Sequence, residues 1–260
     1  MRISVLGSGS SGNCAYIATE QVAVLVDLGF GSRSLERRLR QVKLENKPID
    51  AILVTHGHLD HVRGIPAFSS QCQVPIYMNE GTRNETRDLQ NITRWKTFQH
   101  NSVFFVGDLQ VTPFTVSHDA AEPVGFRFSN NGICGALATD IGELNNTVTQ
   151  QLADCDWLVL ESNHDEEMVK IGPYPLHVKR RVLGNKGHLS NQELASFLAD
   201  KFDRKAKHLF LAHISRQNND PQIALESAQK ALEEKKLSLL ANSCTLHLTH
   251  QAKPSIVLDL

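Results

Sequence analysis

Residues 54–64 read V-T-H-G-H-L-D-H-V-R-G and bring His56, His58, Asp60 and His61 together directly after the apolar run A-I-L-V. Imidazole and carboxylate are the donors that hold borderline divalent ions such as zinc or manganese. One ion takes only three or four ligands. Donors packed this densely cannot all converge on one point, so the spacing predicts two adjacent ions. A polar loop with incidental histidines needs no metal, but H-x-H-x-D-H after a buried strand is a specific pattern.

Donors of this kind need rigid strand ends to hold them. Short apolar runs open the chain, ISVLG, CAYIA and VAVLVDLG, and predict consecutive antiparallel strands. SRSLERRLRQVKL has helical spacing, and AILVT reads as a strand covered on both faces. A helix is expected after His61. Strands follow at VPIYM and within SVFFVGDLQVTPFTVSHD. GFRFSNNGICGALATD predicts a hairpin turning at Asn130, Asn131 and Gly132. DWLVLES and HLFLAHIS are late strands. HLSNQELASFLADKF carries a capping box from Ser190 to Glu193. DPQIALESAQKALEEKKL is a helix capped by Asp220 with Pro221 in its first turn. Strands around TLHLTH and SIVLDL close the chain. No repeat or linker interrupts this order, so the expectation is one layered α/β domain over residues 1–260 with helices on its outer faces.

The composition is that of an ordinary globular chain: 260 residues, 41% hydrophobic, net charge −1. Such a charge excludes a uniformly basic nucleic-acid glove and leaves only local patches. No run reaches membrane-span length, the N-terminal apolar stretch breaks at glycine, and the five cysteines are scattered without a CxxC. A cytoplasmic protein with reduced thiols and no membrane partner is expected. Oligomeric state is not legible.

The H-x-H-x-D-H stretch after its strand resembles the metallo-β-lactamase fold superfamily, a four-layer αββα sandwich. That resemblance implies a later His, a bridging Asp and a last His, each at a strand end. His118 in TVSHDA, Asp140 in LATDIG and His213 in LAHISRQNN stand in that order. By this comparison one ion takes His56, His58 and His118, the other takes Asp60, His61 and His213, and Asp140 bridges. Asp27 in LVDLG resembles the aspartate that braces the ligand loop.

The opening GSGSSGN, together with HDAAEPVGF, LESNHD, KGHLSN and AHISRQNN, looks like the YycJ/WalJ branch, which is associated with DNA exonuclease action. KGHLSN and LES also resemble tRNase Z motifs. They imply that His188 contacts the phosphate or protonates the leaving oxygen while Glu161 holds its other nitrogen. With Asp60 these form the expected catalytic set, although His188 could simply cap the following helix. The chain has no room for the inserted domain of RNase J relatives. His58 stands where flavodiiron relatives have Glu, which favours hydrolysis over redox work.

Two divalent ions, zinc or manganese with iron as a third choice, leave a net positive site after two aspartates and one hydroxide are counted. An anionic phosphodiester matches it. The leading expectation is therefore a two-metal nuclease acting on nucleic acid, DNA by resemblance. A thioester or lactone hydrolase of the glyoxalase II kind shares the scaffold, and a non-enzymatic metal-binding module is the third alternative. Expected substrate contacts are Ser11, Asn13, Ser190 and the basic cluster Lys179, Arg180 and Arg181, with Tyr174 as a base-stacking side chain on a mobile rim. GSGSSG formally matches a dinucleotide fingerprint, but strands rather than a helix follow it. Arg33, Arg37, Arg38 and Arg40 read as a solvated helix face, while His100, His177 and His208 read as unpartnered surface residues. His247 and His250, three apart on a strand, point to opposite faces.

Overall fold

A computed structural model describes residues 1–203, 205–234 and 244–260. The first half of the chain lays down β1 (Arg2–Gly7), β2 (Cys14–Ala18), β3 (Ala23–Val26), α1 (Ser32–Gln41), β4 (Ala51–Leu53), α2 (Leu59–Val62), α3 (Ile65–Cys72), β5 (Ile76–Met78), α4 (Glu80–Glu85), α5 (Arg87–Gln90) and β6 (Trp95–Thr97). The second half gives β7 (Phe104–Val106), β8 (Leu109–Thr115), β9 (Val124–Asn130), β10 (Ile133–Ala138), α6 (Asn146–Leu152), β11 (Trp157–Glu161), α7 (Glu166–Ile171), α8 (Leu176–Val182), α9 (Asn191–Asp200), β12 (His208–Ala212), α10 (Pro221–Glu234), β13 (Thr245–Leu248) and β14 (Leu258–Asp259).

Among the described residues the strands form two seven-stranded sheets, ordered β14-β1-β2-β3-β4-β5-β6 and β13-β12-β11-β10-β9-β8-β7. Three apolar layers cement them. Ile3, Val24, Leu53, Phe126, Trp157 and Phe210 fill the space between the sheets. Leu35, Leu39, Ile65 and Phe68 pack α1 and α3 on the outside of the first sheet. Val148, Leu194, Phe197, Ala224 and Ala228 pack α6, α9 and α10 on the outside of the second. This is the expected αββα sandwich. Strands covered on both faces explain why AVLV, AIL and the first four residues of β11, WLVL, are continuously apolar rather than alternating. No helix among the described residues is long and apolar enough to cross a membrane.

The hairpin between β9 and β10 turns on Asn131 and Gly132, both at positive φ, as a two-residue turn twisted to match its strands requires. α10 ends at Glu234 in the described residues, so the expected extension into 235–237 lies outside them. Two expectations are corrected. The helix expected after His61 starts earlier: Asp60 and His61 already sit in the single turn of α2, with His58 as its N-cap residue. Arg38 is not on a solvated face. It is buried, donates to the Leu6 and Gln251 carbonyls, and stacks on Phe30.

Parallel pairing runs from β3 to β6 and from β10 to β13. The carboxyl ends of β3, β4, β10, β11 and β12 therefore deliver Asp27, the His56–His61 segment, Asp140, Glu161 and His213. Three of these residues bend sharply out of their strands: Asp27, Asp140 and His213 have φ of 59°, 57° and 55°. Left-handed backbone is disfavoured for non-glycine residues and persists where surrounding contacts enforce it, often at functional sites. Gly29 allows the next close approach, because a Cβ there would lie 1.7 Å from the Asp60 carbonyl oxygen.

Candidate metal centre

The turns above collect the expected donors into overlapping groups whose ligating atoms lie within 4.8 Å of one another: His56, His58 and His118; Asp60, His61 and His213; and His56, His61 and Asp140. Asp140 sits centrally, with Oδ2 3.1 Å from His61 Nε2 and Oδ1 3.7 Å from His118 Nε2 and 3.4 Å from His213 Nδ1.

Hydrogen bonds on the far side of each ring set which nitrogen faces inward. His61 Nδ1–H donates to Asp27 Oδ2 at 2.8 Å, His118 Nδ1–H to the Gly187 carbonyl at 2.9 Å, and His213 Nδ1–H to Glu161 Oε1 at 2.7 Å. Thr55 Oγ1 donates to Asp27 at 2.8 Å and accepts from His56 Nδ1 at 3.0 Å. Each of these rings thus presents Nε2 to the cluster. His58 is half-buried and instead presents Nδ1, 3.3 Å from His118 Nε2. His56 Nε2, His213 Nε2 and Asp140 Oδ2 are buried without any hydrogen-bond partner. Orphaned buried atoms are costly. A pair of divalent cations fits this donor set and would satisfy all three.

The charges agree with that fit. Burial alone would push His213 down, but Asp140, Asp60 and Glu161 outweigh it and hold it up at about 10. Burial also opposes the charge on His61, and Asp140 and Asp27 raise it well above its usual value. Asp140 is likewise held far below the carboxylate range, against burial, by His213 and His61. His56 goes the other way, pushed down by burial and by His61. Without metal, protons occupy donor nitrogens, so loading must release them. Apparent metal affinity should rise with pH through neutrality towards pH 10, as chelator competition would measure. The stability of the metal-free fold should run oppositely. His213 gains a proton partner on folding, so its contribution is complete below its usual value of 6.5 and is lost as pH rises through about 10. Flat profiles in both measurements would contradict this account.

Next to the cluster, His188 Nδ1 lies 2.9 Å from Glu161 Oε1, the same oxygen that holds His213. Glu161 is fully buried, and its Oε2 accepts the backbone N–H groups of Ile141 and Leu189. Burial would raise its pKa, but His188 and His213 draw it down to about 2.

The expected substrate contacts divide. Asn13 is buried under the ligand loop, its Nδ2 2.9 Å from His61 Nε2 and 3.2 Å from Asp60 Oδ2, so it braces ligands. Ser11 is exposed, with its backbone N–H on Gln251. Lys179 spends its ammonium on the Lys170 carbonyl, and Arg180 is exposed. Only Arg181 of that cluster reaches the site, 3.3 Å from Asp119 Oδ2. Ser190 is corrected as a substrate contact. It is buried, and its hydroxyl and backbone are consumed by the capping box with Glu193. Ser190→Ala should lower stability by about 1 kcal/mol and leave KM unchanged, as melts and steady-state kinetics would show. His100 and His208 are also corrected. The first pairs with Thr115 Oγ1 and the second lies 3.1 Å from His247 Nε2 across the sheet.

Three contributors escaped the sequence. Asp119 lies 3.3 Å from His118 Nε2; its position directly after a strand-end histidine was the available signal. Ser8 Oγ accepts the His213 backbone N–H at 2.7 Å, and Asn163 Nδ2 donates to the His213 carbonyl at 2.7 Å. The glycine-serine loop is thus a brace for the second donor group, and no helix follows its glycines.

Comparison with known proteins agrees with the fold. Residues 23–214 match the beta-lactamase superfamily domain. The chain is 39% identical over 238 residues to exodeoxyribonuclease YycJ of Bacillus anthracis, covering 90% of each chain. It is 30% identical over 228 residues to exodeoxyribonuclease WalJ of Streptococcus pneumoniae, covering 86% of this chain and 85% of the relative. The metallo-beta-lactamase fold protein YhfI of Bacillus subtilis superimposes with a TM-score of 0.73 at 16% identity, covering 99% of both chains. With strand-end donors converging between two stacked sheets, and with relatives matched along nearly its whole length, this chain belongs to the metallo-β-lactamase superfamily, in the branch of the YycJ and WalJ proteins.

Proposed function

We propose that the protein is a two-metal exonuclease acting on DNA. His56, His58 and His118 would hold one ion, Asp60, His61 and His213 the other, and Asp140 would lie between them, with zinc or manganese as the fitting metals. When bound, the ions supply a water acidic enough to attack near neutral pH and neutralise charge on the phosphodiester. The chain's own residues do the rest. Asp27, Thr55, Gly187 and Glu161 orient the ligand rings, and Asn13 and Ser8 hold the loops that carry them. His188 keeps its Nδ1 proton on Glu161 and is free to deliver a proton from Nε2 to the departing oxygen. Arg181 offers a cation at the mouth beside Asp119.

The observation that carries this reading is the single Glu161 oxygen shared by His188 and His213. It couples a candidate proton donor to a candidate metal ligand, which suits a leaving alkoxide. The names of the relatives covering most of the chain support DNA as the substrate and an end as the point of attack. The test is metal-reconstituted protein with end-labelled single- and double-stranded DNA and RNA, bis-p-nitrophenyl phosphate and a thioester. Mononucleotide release from DNA is the expected result. Thioester turnover without phosphodiester cleavage would overturn the reading, and preferential attack on RNA would overturn its DNA half.

A further inference from the structure

We propose that Cys134 and Cys155 form a reversible disulfide, made by small hydroperoxides and undone by thiols. The two sulfurs lie 3.9 Å apart on the outer face of the second sheet, in the apolar layer with Val148 and Leu152. Their chain segments are clamped together. The Asp156 N–H donates to the Cys134 carbonyl at 2.7 Å, and the Cys134 N–H donates to Asp156 Oδ2 at 2.8 Å. A bond needs the sulfurs to close to about 2.05 Å, a movement within side-chain rotation and small backbone adjustment.

The two thiols are unequal, as a reactive pair requires. Cys134 is 8% exposed and Cys155 is fully buried, so a small oxidant meets Cys134 first. A hydrogen bond from Cys155 lowers the Cys134 thiol to about 7 against burial, helped by Arg127, whereas Cys155 is pushed up. Cys134 thus supplies the thiolate nucleophile. Its sulfur attacks one peroxide oxygen, the O–O bond breaks, and the other oxygen leaves as water, giving a sulfenic acid. The Cys155 sulfur then bonds to the Cys134 sulfur as the S–O bond breaks. The Cys155 proton leaves with the hydroxyl as a second water. Two thiols lose two electrons and two protons, and one hydrogen peroxide becomes two waters.

The bond closes a loop that contains Asp140 yet lies at the opposite end of β10, six residues or roughly 20 Å from that carboxylate. It should therefore tighten the fold without touching turnover. It is independent of which substrate the metal centre takes.

The experiment treats the metal-loaded full chain, in a Cys72→Ser/Cys244→Ser background, with hydrogen peroxide. Thiols are then alkylated in denaturant and the chain is cut after glutamate. Glu143 separates the two cysteines, so only a disulfide keeps their peptides together. Expected are the joined peptide pair, two protected thiols and a Tm higher by several degrees, all reversed by dithiothreitol and absent in Cys134→Ser. Sulfinic acid at Cys134 with Cys155 still alkylated would overturn the proposal. So would both thiols remaining free, or Cys14 pairing with either.

Discussion

Asp140→Asn should lower turnover by about 10³-fold or more while the chain still folds. The loss corresponds to roughly 4 kcal/mol of barrier, within what metal-assisted charge stabilisation supplies. The amide keeps the shape of the side chain but removes the carboxylate that lies within 3.1–3.7 Å of His61, His118 and His213 alike. It also cannot accept from both neighbouring donor groups. Bound metal, counted by elemental analysis, should fall well below the wild-type content. The metal-free protein should lose stability near neutral pH, because the carboxylate is the largest influence favouring charged His61 and His213. That stability loss should shrink at high pH, where His213 is neutral in both proteins. Wild-type turnover with wild-type metal content in the variant would remove Asp140 from the centre.

The second large effect is expected from Glu161→Gln. One carboxylate oxygen accepts from two backbone N–H groups, and the other accepts from His188 and His213. An amide can serve only one of these needs. If its oxygen keeps the backbone bonds, its NH2 faces both Nδ1 atoms and drives the rings to the tautomer with the proton on Nε2. His213 then presents a proton where a metal should bind. Metal affinity should drop about 10–100-fold, the range for an outer hydrogen-bond partner of a ligand. The proton-donor limb of the rate profile should also be lost, giving a further ~10²-fold reduction in kcat at saturating metal. A merely structural role would lower Tm and leave both the pH profile and the metal titration unmoved.

The legible part of this protein was local. H-x-H-x-D-H after AILV, the Asn131-Gly132 turn and the Ser190 box are short-range patterns, and their conformations follow from neighbouring residues. Alternating and continuous apolar runs announced strands with one or two covered faces, and hence layers. The later donors could be found because each stops an apolar strand, and a resemblance supplied their order. What adjacency cannot encode is which residues meet across the molecule. Asn13 and His61, Ser8 and His213, and Arg38 and Gln251 are joined by contacts spanning 48, 205 and 213 positions.

Those contacts exist because two sheets stack and their strand ends share one edge. Left-handed turns at Asp27, Asp140 and His213 then aim three side chains that a regular strand would have sent elsewhere. The sequence by itself determined the donor chemistry, the strand-and-helix order and the layered class, since residue type and periodicity carry them. Tertiary structure alone decided that Glu161 serves two histidines, that Ser190 is spent on a cap, and that Arg181 rather than its basic neighbours faces the site. Hydrogen-bond partnership and burial belong to pairs of distant segments, and only the packed sheets bring those segments together.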